Sequence, residues 1–186
     1  MNHQGTVPIE TERLILRRFC VEDAEAAYKN WMSRPAVTKY LTWEPHTCVE
    51  VSRAYIQSVV DRYNDDTGYH WAIEWKETHE PIGAIGVNEL FEDVDGCEIG
   101  YCMSDRYWGR GIMPEAFAAV IRYLFEEVGF NRIQSSHDPR NPASGRVMEK
   151  CGLRYEGTLR QAARNNQGIC DDVIRAILRE DWLNSR

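Results

Sequence analysis

Residues 97–125 constrain the fold of this 186-residue chain more than any other stretch. They begin with CEIGYCMS, in which apolar side chains occupy every second position, a spacing that predicts a β-strand. The turn RYWGRG follows and contains Gly109 and Gly111. Pro114 suits the first turn of a helix, where its missing N–H costs no hydrogen bond. The apolar residues of FAAVIRYLF then recur at helical spacing, so we expect a strand, a glycine turn and a helix in succession.

The glycine turn has the chemistry of a phosphate site. Glycine lacks Cβ, so the backbone at Gly109 and Gly111 can turn tightly and approach a ligand closely. The first N–H groups of the following helix lack intrahelical acceptors, and a helix N-terminus carries about half a positive charge. A tight turn that merely precedes a packed helix is the alternative interpretation.

Two common phosphate motifs do not fit this turn. The chain contains no P-loop string G-x-x-x-x-G-K-[ST]. A dinucleotide fingerprint G-x-G-x-x-G would need a glycine at the position of Pro114. What remains is the pattern Arg-x-x-Gly-x-Gly, from Arg106 to Gly111.

Composition excludes several other classes of protein. Lys and Arg number 22 against 29 Asp and Glu, a net charge of −7, whereas a general nucleic-acid binder is usually basic. No apolar stretch approaches the ~18 residues of a membrane span, and the N-terminus has no apolar signal core. The six cysteines form no C-x-x-C and no zinc spacing, so we expect reduced thiols, no metal site and a cytoplasmic location.

The remaining segments complete a single α+β domain over residues 1–186, without linkers or repeats. Alternation predicts strands at 10–19, 69–75, 81–90, 132–137, 153–159 and 168–182, and helical spacing predicts helices at 21–31 and 49–63. Short turns between 69–75, 81–90 and 97–103 imply an antiparallel meander, and residues 32–47 are expected to be a loop. On helix 49–63, Val51, Tyr55 and Val59 are predicted to be buried, and Gly129 is the expected C-cap of the long helix.

The Arg-x-x-Gly-x-Gly turn resembles the acetyl-CoA motif of the GNAT family of N-acetyltransferases. Its approach, EIGYCMSDRYWGRG, resembles the Rim-type (ribosomal-protein N-acetyltransferase-like) branch of that family, as do ETERLILR near the start and DDVIRAILREDW near the end. The string from Asn141 to Leu153 resembles the family's second cofactor motif, N-x-x-S on a short helix that ends in C-G-[FL]. The resemblance implies the GNAT fold, of α/β/α type. Its mixed, mostly antiparallel sheet has six to seven strands, splays between strands 4 and 5 (here 97–103 and 132–137) and carries helices on both faces.

The resemblance also implies acetyl-CoA as co-substrate, with no metal, and a set of residues that would bind it. Its pantetheine arm would lie between the splayed strands, paired with the backbone of one strand, and its pyrophosphate would lie on the glycine turn. The strand residues would be Tyr101, Cys102 and Met103. The turn residues would be Arg106, Trp108, Gly109, Arg110, Gly111, Ile112 and Met113. On the short helix they would be Asn141, Ser144, Arg146, Met148 and Lys150.

Catalytic roles follow less directly from the sequence. Many relatives place a tyrosine acid seven residues after the Asn, but that position here is Met148, so Ser144 is expected to assist the departing thiolate. The alternative is that Ser144 only caps or packs its helix. Glu98 is the candidate base, with Glu89 a second choice and a salt-bridged strand carboxylate the alternative for each. His137 could face the site or simply end its strand.

The sequence therefore predicts an acetyl-CoA-dependent N-acetyltransferase that acts on a primary amine. Presenting a neutral lysine costs about 3 kcal/mol more than presenting a neutral α-amine, because their pKa values are ~10.4 and ~8. A site without an obvious strong base thus favours a protein N-terminal α-amine. The alternatives are a small-molecule acceptor (polyamine, antibiotic or amino acid) and a non-catalytic acyl-CoA-binding sensor. No nucleic-acid or membrane partner is expected, and a homodimer is left open.

Overall fold

An eight-stranded mixed sheet forms the centre of the protein, in the order β1-β2-β3-β4-β5-β6-β8-β7. The structure is a computed structural model that describes residues 1–185. All neighbouring strands are antiparallel except β5 and β6, which are parallel. The strands are β1 (Ile9–Glu10), β2 (Leu14–Arg17), β3 (His70–Trp75), β4 (Glu80–Phe91), β5 (Gly96–Met103), β6 (Arg132–His137), β7 (Arg154–Asn165) and β8 (Gly168–Leu178).

Helices cover both faces of this sheet. The long helix after the glycine turn is α4 (Ile112–Tyr123), which continues as a π-turn over Leu124–Val128. The other helices are α1 (Ala24–Ala27, between turns Val21–Asp23 and Tyr28–Met32), α2 (Pro35–Thr38), α3 (Val49–Val60), α5 (Pro142–Lys150) and α6 (Arg179–Asn184). Gly129 ends the α4 segment with φ 90°, in the left-handed region, which confirms the predicted C-cap.

Two hydrophobic cores lie on opposite faces of the sheet because successive strand residues point to opposite sides. On β3, Ile73 belongs to the core under α4, whereas Ala72 belongs to the core under α1 and α3. Phe117 of α4 is fully buried in the first core, a burial that contributes about 1.5–3 kcal/mol. Cys97 lies in the first core and Cys102 packs against the second, because an odd separation along a strand places two side chains on opposite faces.

Several boundaries differ from the sequence prediction. The predicted strand 10–19 is two short strands, β1 and β2, which gives eight strands where six to seven were expected. Residues 32–47 include α2, and the last strand ends at Leu178, after which α6 begins. β7 reaches Asn165, well past the predicted end at 159, because β8 pairs with it as far as the hairpin turn.

The prediction for the buried face of α3 was wrong at two of three positions. Val51 and Tyr55 are 42% and 38% exposed, and the buried residues are Ser52, Ile56 and Val59. Tyr55 lines the cleft described below. An apolar side chain that lines a cleft produces the same sequence pattern as one in a core.

Candidate active site

The two parallel strands β5 and β6 separate after a short common stretch. Their ladder has three residue pairs, the last of which joins Glu98 to Gln134. Beyond it, β6 stays paired with β8 as far as His137 and β5 stays paired with β4 as far as Met103, so a gap opens between β5 and β6. This gap belongs to a cleft of about 960 Å³. The predicted divergence of the two strands is confirmed.

The glycine turn lies at one side of this cleft. Gly109 and Gly111 line it and have φ values of 77° and 73°, in the left-handed region that favours glycine. Gly111 is the N-cap of α4, and within residues 1–185 no side chain caps the helix. The N–H groups of its first turn are therefore available to an anion.

Contacts from the segment between β1 and β2 hold this turn in place. Arg13 donates from Nε to Glu115 Oε2 (2.7 Å) and from Nη1 to the carbonyl of Arg110 (3.0 Å), and Thr11 donates to Glu115 Oε1 (2.6 Å). Burial acts to raise the pKa of Glu115, but hydrogen bonds from Thr11 and Arg13 outweigh it and hold the pKa below its ordinary value. The one acidic residue in the first turn of α4 is thus engaged with Arg13. Sequence reasoning missed this support, because its partners are about a hundred residues apart.

Strand alternation decides which backbone groups of β5 face the gap. Ser104 N–H donates to Ile82 O on β4, 2.8 Å away, so Cys102, two residues earlier, also directs its backbone groups to β4. On the other edge, Ile99 O accepts from Ser135 Oγ of β6 (2.7 Å). The backbone groups of Tyr101 therefore face the gap as expected, whereas the backbone pairing expected of Cys102 is replaced by pairing with β4.

Met103 is the other residue whose backbone groups face the gap, and one of these groups already has a hydrogen-bond partner. Its carbonyl accepts from Trp108 Nε1 at 3.0 Å, which leaves its N–H directed to the gap. Trp108 is 51% exposed and lines the cleft, and Ile112 and Met113 follow it along the same rim.

Helix α5 brings two more predicted residues to the cleft. Asn141 is its N-cap, with Oδ1 accepting from Ser144 N–H at 3.4 Å, so the Asn141 side-chain N–H₂ is left to donate elsewhere. Ser144 Oγ lies 3.0 Å from the hydroxyl of Tyr101. Both Asn141 and Ser144 line the cleft.

Glu98 lies where the two strands begin to diverge. It lines the cleft, and its Oε2 accepts from Gln134 Nε2 at 2.9 Å. Because Gln134 is neutral, this contact positions the carboxylate without neutralising it. Glu89, the second choice for a base, is exposed and does not line the cleft.

The predicted cations and Met148 divide into two groups. Arg146 and Lys150 line the cleft from α5. Arg106 and Arg110 are exposed and do not line it, and the Arg110 guanidinium lies 5.5 Å from the ring centroid of Tyr107. Met148 was expected to border the cofactor, but its side chain is fully buried in the α4-side core and does not border the cleft.

The side chain of His137 makes a structural contact that sequence could not reveal. Its Nδ1 donates to the carbonyl of Asp138 (2.9 Å), which fixes the hydrogen on Nδ1 because a carbonyl only accepts. Its Nε2 lies 2.6 Å from where a Cβ of Gly145 would stand. The imidazole thus packs between β6 and α5, and it lines the cleft.

The opposite, α1 and α3 side of the cleft is formed by small and aromatic residues. Ala84, Gly100 and Cys102 expose little side chain on the sheet, and burial raises the pKa of the Cys102 thiol to about 12. Aromatic side chains surround this surface: Trp31, Tyr40, Trp43 and Tyr55. Trp71 of β3 lies instead in the α4-side core.

The hairpin between β7 and β8 closes this side of the cleft. Asn166 donates from Nδ2 to the carbonyls of Thr38 (2.9 Å) and Trp43 (2.8 Å), and from its backbone N–H to Leu41 O (3.1 Å). Neighbouring Asn165 donates to the carboxylate of Asp138 (2.9 Å). These bonds tie the hairpin turn to the segment after α2.

These features define a class of protein. A sheet that opens between two parallel strands, beside an uncapped N-terminus of a long helix, is the arrangement that an acyl-CoA-dependent N-acetyltransferase requires. The residues present fit acetyl-CoA: first-turn N–H groups suit a diphosphate, and the free edge of β5 at Tyr101 suits an amide-bearing arm. Within residues 1–185, no group of three or more His, Cys, Asp or Glu side chains is arranged to hold a metal ion. None of the helices in that range is long and apolar enough to cross a bilayer.

Comparison with known proteins identifies the family. A family model described as an acetyltransferase (GNAT) domain matches residues 13–154, and the chain belongs to this family. N-acetyltransferase p20 of Bacillus licheniformis is 33% identical over 172 residues, which are 92% of this chain and 96% of that protein. The ribosomal protein uS5-alanine N-acetyltransferase of Escherichia coli is 23% identical over 186 residues, 97% of this chain and 95% of that protein. In fold, RimL, a ribosomal L7/L12 alpha-N-protein acetyltransferase in complex with coenzyme A, matches with a TM-score of 0.83 at 21% identity over 94% of this chain and 99% of that one.

Proposed function

We propose that this N-acetyltransferase uses acetyl-CoA to acetylate a primary amine, and that a protein N-terminal α-amine is the principal acceptor class. The observation that carries the proposal is the cleft between β5 and β6, which has the uncapped first turn of α4 on one side and Glu98 at its closed end.

The cofactor side of the proposal uses the residues that line this cleft. First-turn N–H groups at Gly111, Ile112 and Met113 would hold the diphosphate, and Arg146 and Lys150 lie where they can approach other phosphate oxygens. The side-chain N–H₂ of Asn141 and the backbone of Tyr101 would bind the pantetheine amides. Arg106 and Arg110 would add only long-range attraction, since neither lines the cleft.

The acceptor side of the proposal rests on charge and chemistry. Glu98 can attract an ammonium group, and its partner Gln134 leaves that charge in place. One carboxylate is enough to take a proton from an α-amine, whose pKa of ~8 lies well below that of lysine. The ribosomal-protein acetyltransferases among the relatives support the same acceptor class.

The chain's own residues supply three effects in the reaction. Bound acetyl-CoA provides the acetyl group as a reactive thioester. The Tyr101 N–H faces the gap and can donate to the acetyl oxygen as negative charge develops there; removal of one such donor costs about 2.7–4 kcal/mol in another enzyme. Glu98, directly or through water, takes a proton from the ammonium group to give the amine that attacks, and Ser144 stands beside the gap as a donor to sulfur.

The test is the release of CoA from acetyl-CoA by the purified protein. A panel of peptides with free N-termini, the same peptides with blocked N-termini but free lysines, polyamines and amino acids would be compared by thiol detection and product mass. We expect release with free N-termini and not with the blocked peptides. Tight acetyl-CoA binding with no release by any amine would contradict the proposal and favour the non-catalytic sensor.

A matched pair of glutamates tests the base. Glu98→Gln removes the only carboxylate proposed to take the proton, so kcat for the best peptide should fall about 10²-fold, the lower range for general-base catalysis, with CoA affinity unchanged. Glu89→Gln alters the neighbouring strand outside the cleft and should leave kcat unaltered. Equal kcat for Glu98→Gln and wild type would remove Glu98 from the mechanism.

Two further expectations accompany this function. We infer that residues 1–186 form one acetyltransferase domain, and that the protein works in the cytoplasm. Size-exclusion chromatography with light scattering would establish whether it is a homodimer.

A further inference from the structure

Two hydroxyl groups meet across the opening between β5 and α5. The Tyr101 hydroxyl lies 3.0 Å from Ser144 Oγ and 3.0 Å from the carbonyl oxygen of Ser144. The two residues are 43 positions apart in the chain, and both line the cleft. Because Met148 is buried in the α4-side core, its side chain offers no group to the cleft, whereas this pair presents two hydroxyl groups between β5 and α5.

The pair can adopt two hydrogen-bond arrangements without moving any heavy atom. In the first, Tyr101 donates to the Ser144 carbonyl and the Ser144 hydroxyl donates to the Tyr101 oxygen. In the second, Tyr101 donates to Ser144 Oγ, and the Ser144 hydrogen is free to point at a third group. Only two hydroxyl hydrogens rotate between them, so an anion placed beside Ser144 would select the second arrangement.

Tyr101 is suited to remain a neutral donor. Burial raises the pKa of its phenol well above the ordinary value, against the smaller lowering effect of its bond to Ser144. Its ring packs against Phe117 with centroids 5.4 Å apart, which fixes the position of the hydroxyl.

We propose that Tyr101 is a positioning residue that orients the Ser144 hydroxyl as a hydrogen-bond donor to the sulfur of the departing coenzyme A. The inference rests on the proposed function. In the transfer, the carbonyl C–N bond forms, the C–S bond breaks and its electron pair stays on sulfur. An ammonium acceptor loses one proton to Glu98 or water before it attacks, and the nitrogen loses a second proton to solvent as the amide forms. CoA leaves as the thiolate, and Tyr101 and Ser144 keep their own hydrogens. A donor that meets an anionic acceptor forms a stronger bond than one that meets a neutral acceptor, so the pair favours the thiolate over the thiol.

This preference can be measured without an acceptor amine. An alkyl thiol such as cysteine has a pKa of about 8.5. If the Ser144 donor holds the sulfur of bound CoA, the thiol pKa is lower in bound CoA than in free CoA. The affinity for CoA then rises with pH between the pKa of the bound thiol and the pKa of the free thiol. Desulfo-CoA lacks the sulfur, so the ratio of its Kd to that of CoA isolates the thiol. We expect the ratio to rise about tenfold between pH 6.5 and 9.5, which corresponds to one pKa unit.

Other titratable and charged groups surround this point: Glu98 and Cys102 on β5, Arg146 and Lys150 on α5, Cys151 just after α5, His137 and Asp138 at the end of β6, and Cys170 and Asp172 on β8. Their effect on the rest of the ligand is the same for both ligands and cancels in the ratio. Their effect on the thiolate remains, and the variants below separate it from that of the Ser144 donor.

Three variants separate positioning from packing. Ser144→Ala removes the donor, and the ratio should be flat with pH. Tyr101→Phe keeps the ring and its packing but leaves Ser144 without its orienting partner, and the rise should shrink to about threefold or less. Tyr155→Phe, the matched control, removes a phenol whose hydroxyl bonds Thr158 on the exposed part of β7, and it should match the wild type.

The outcomes are distinct. If the Kd ratio of Tyr101→Phe changed with pH as it does in the wild type, Tyr101 would only pack. If the ratio of the wild type did not change with pH, no donor would meet the sulfur. Either result overturns the inference while CoA binding, and with it the proposed function, stands. If the wild type bound neither CoA nor desulfo-CoA at any pH, the proposed function itself would fail.

Discussion

Replacing Gly111 with aspartate tests the glycine turn most directly. Gly111 has φ 73°, and a Cβ at this position would have Arg13 Nη2 as its nearest neighbour, 3.8 Å away, so the side chain has room. The cost to folding is the left-handed backbone, about 1–2 kcal/mol, and Asp and Asn tolerate this region better than most residues. A protein of this size would lose about 2–8 °C of Tm and stay folded.

The cost to cofactor binding should be much larger. An aspartate at Gly111 would place a negative charge among the N–H groups that are proposed to bind the diphosphate. Two unit charges repel by about 4 kcal/mol at 4 Å and about 2 kcal/mol at 8 Å for an effective dielectric constant of ~20. The Kd for CoA should therefore rise about 30- to 1,000-fold.

Calorimetric titration of CoA into wild type, Gly111→Asp and Gly111→Asn measures this effect. Asparagine has the same shape and backbone tolerance without the charge, so it separates repulsion from strain. We expect Gly111→Asn to bind within about tenfold of wild type, and the loss in Gly111→Asp to shrink when salt is raised from ~50 to ~300 mM, because exposed charges are screened. Equal affinities for the two variants, or a loss independent of salt, would refute the placement of an anion at this turn.

Two further predictions concern the segments around the acceptor side. The Arg140 guanidinium holds the pKa of buried Asp138 well below its usual range. A lowered folded-state pKa stabilises the protein above about pH 4, and that contribution is lost as pH falls. In urea unfolding, Asp138→Asn should therefore lower the free energy of unfolding by about 1–3 kcal/mol at pH 7, and the difference from wild type should narrow in acid. A difference independent of pH would contradict this. Asn166→Ala removes two side-chain bonds to the segment after α2 and should accelerate amide exchange in residues 38–43 with little change in Tm, whereas exposed Gln167→Ala should not; equal exchange in both variants would show that the hairpin is held by other contacts.

The sequence determined the local elements around the site. Alternating residues in β5, helical spacing in α4 and the glycines between them are each decided within a few residues, so their pattern was sufficient. Gly109, Gly111 and Gly129 all have the positive φ that their positions in the turn and at the helix end suggested. Backbone conformations that only glycine adopts readily can be read from a single chain because the steric cost is local.

The sequence was ambiguous wherever one pattern serves two purposes. Tyr55 and Val51 lie on an apolar face that the pattern assigned to the core, yet Tyr55 faces the cleft. Met148 was expected at the cofactor because it lies within the second motif, but it lies in the core instead. Hydrophobicity reports that a side chain avoids water, and it does not report whether the protein or a ligand covers it.

Only the tertiary structure decided how distant groups meet. β5 and β6 diverge while β5 keeps its pairing with β4 and β6 keeps its pairing with β8. The α4 turn is anchored by a contact between Arg13 and Glu115, 102 residues apart. The meeting of Tyr101 and Ser144 likewise depends on α5 packing beside β5. Such contacts depend on how whole strands and helices are placed relative to one another. The burial of two cores on one sheet fixes this placement, and no local residue pattern encodes it.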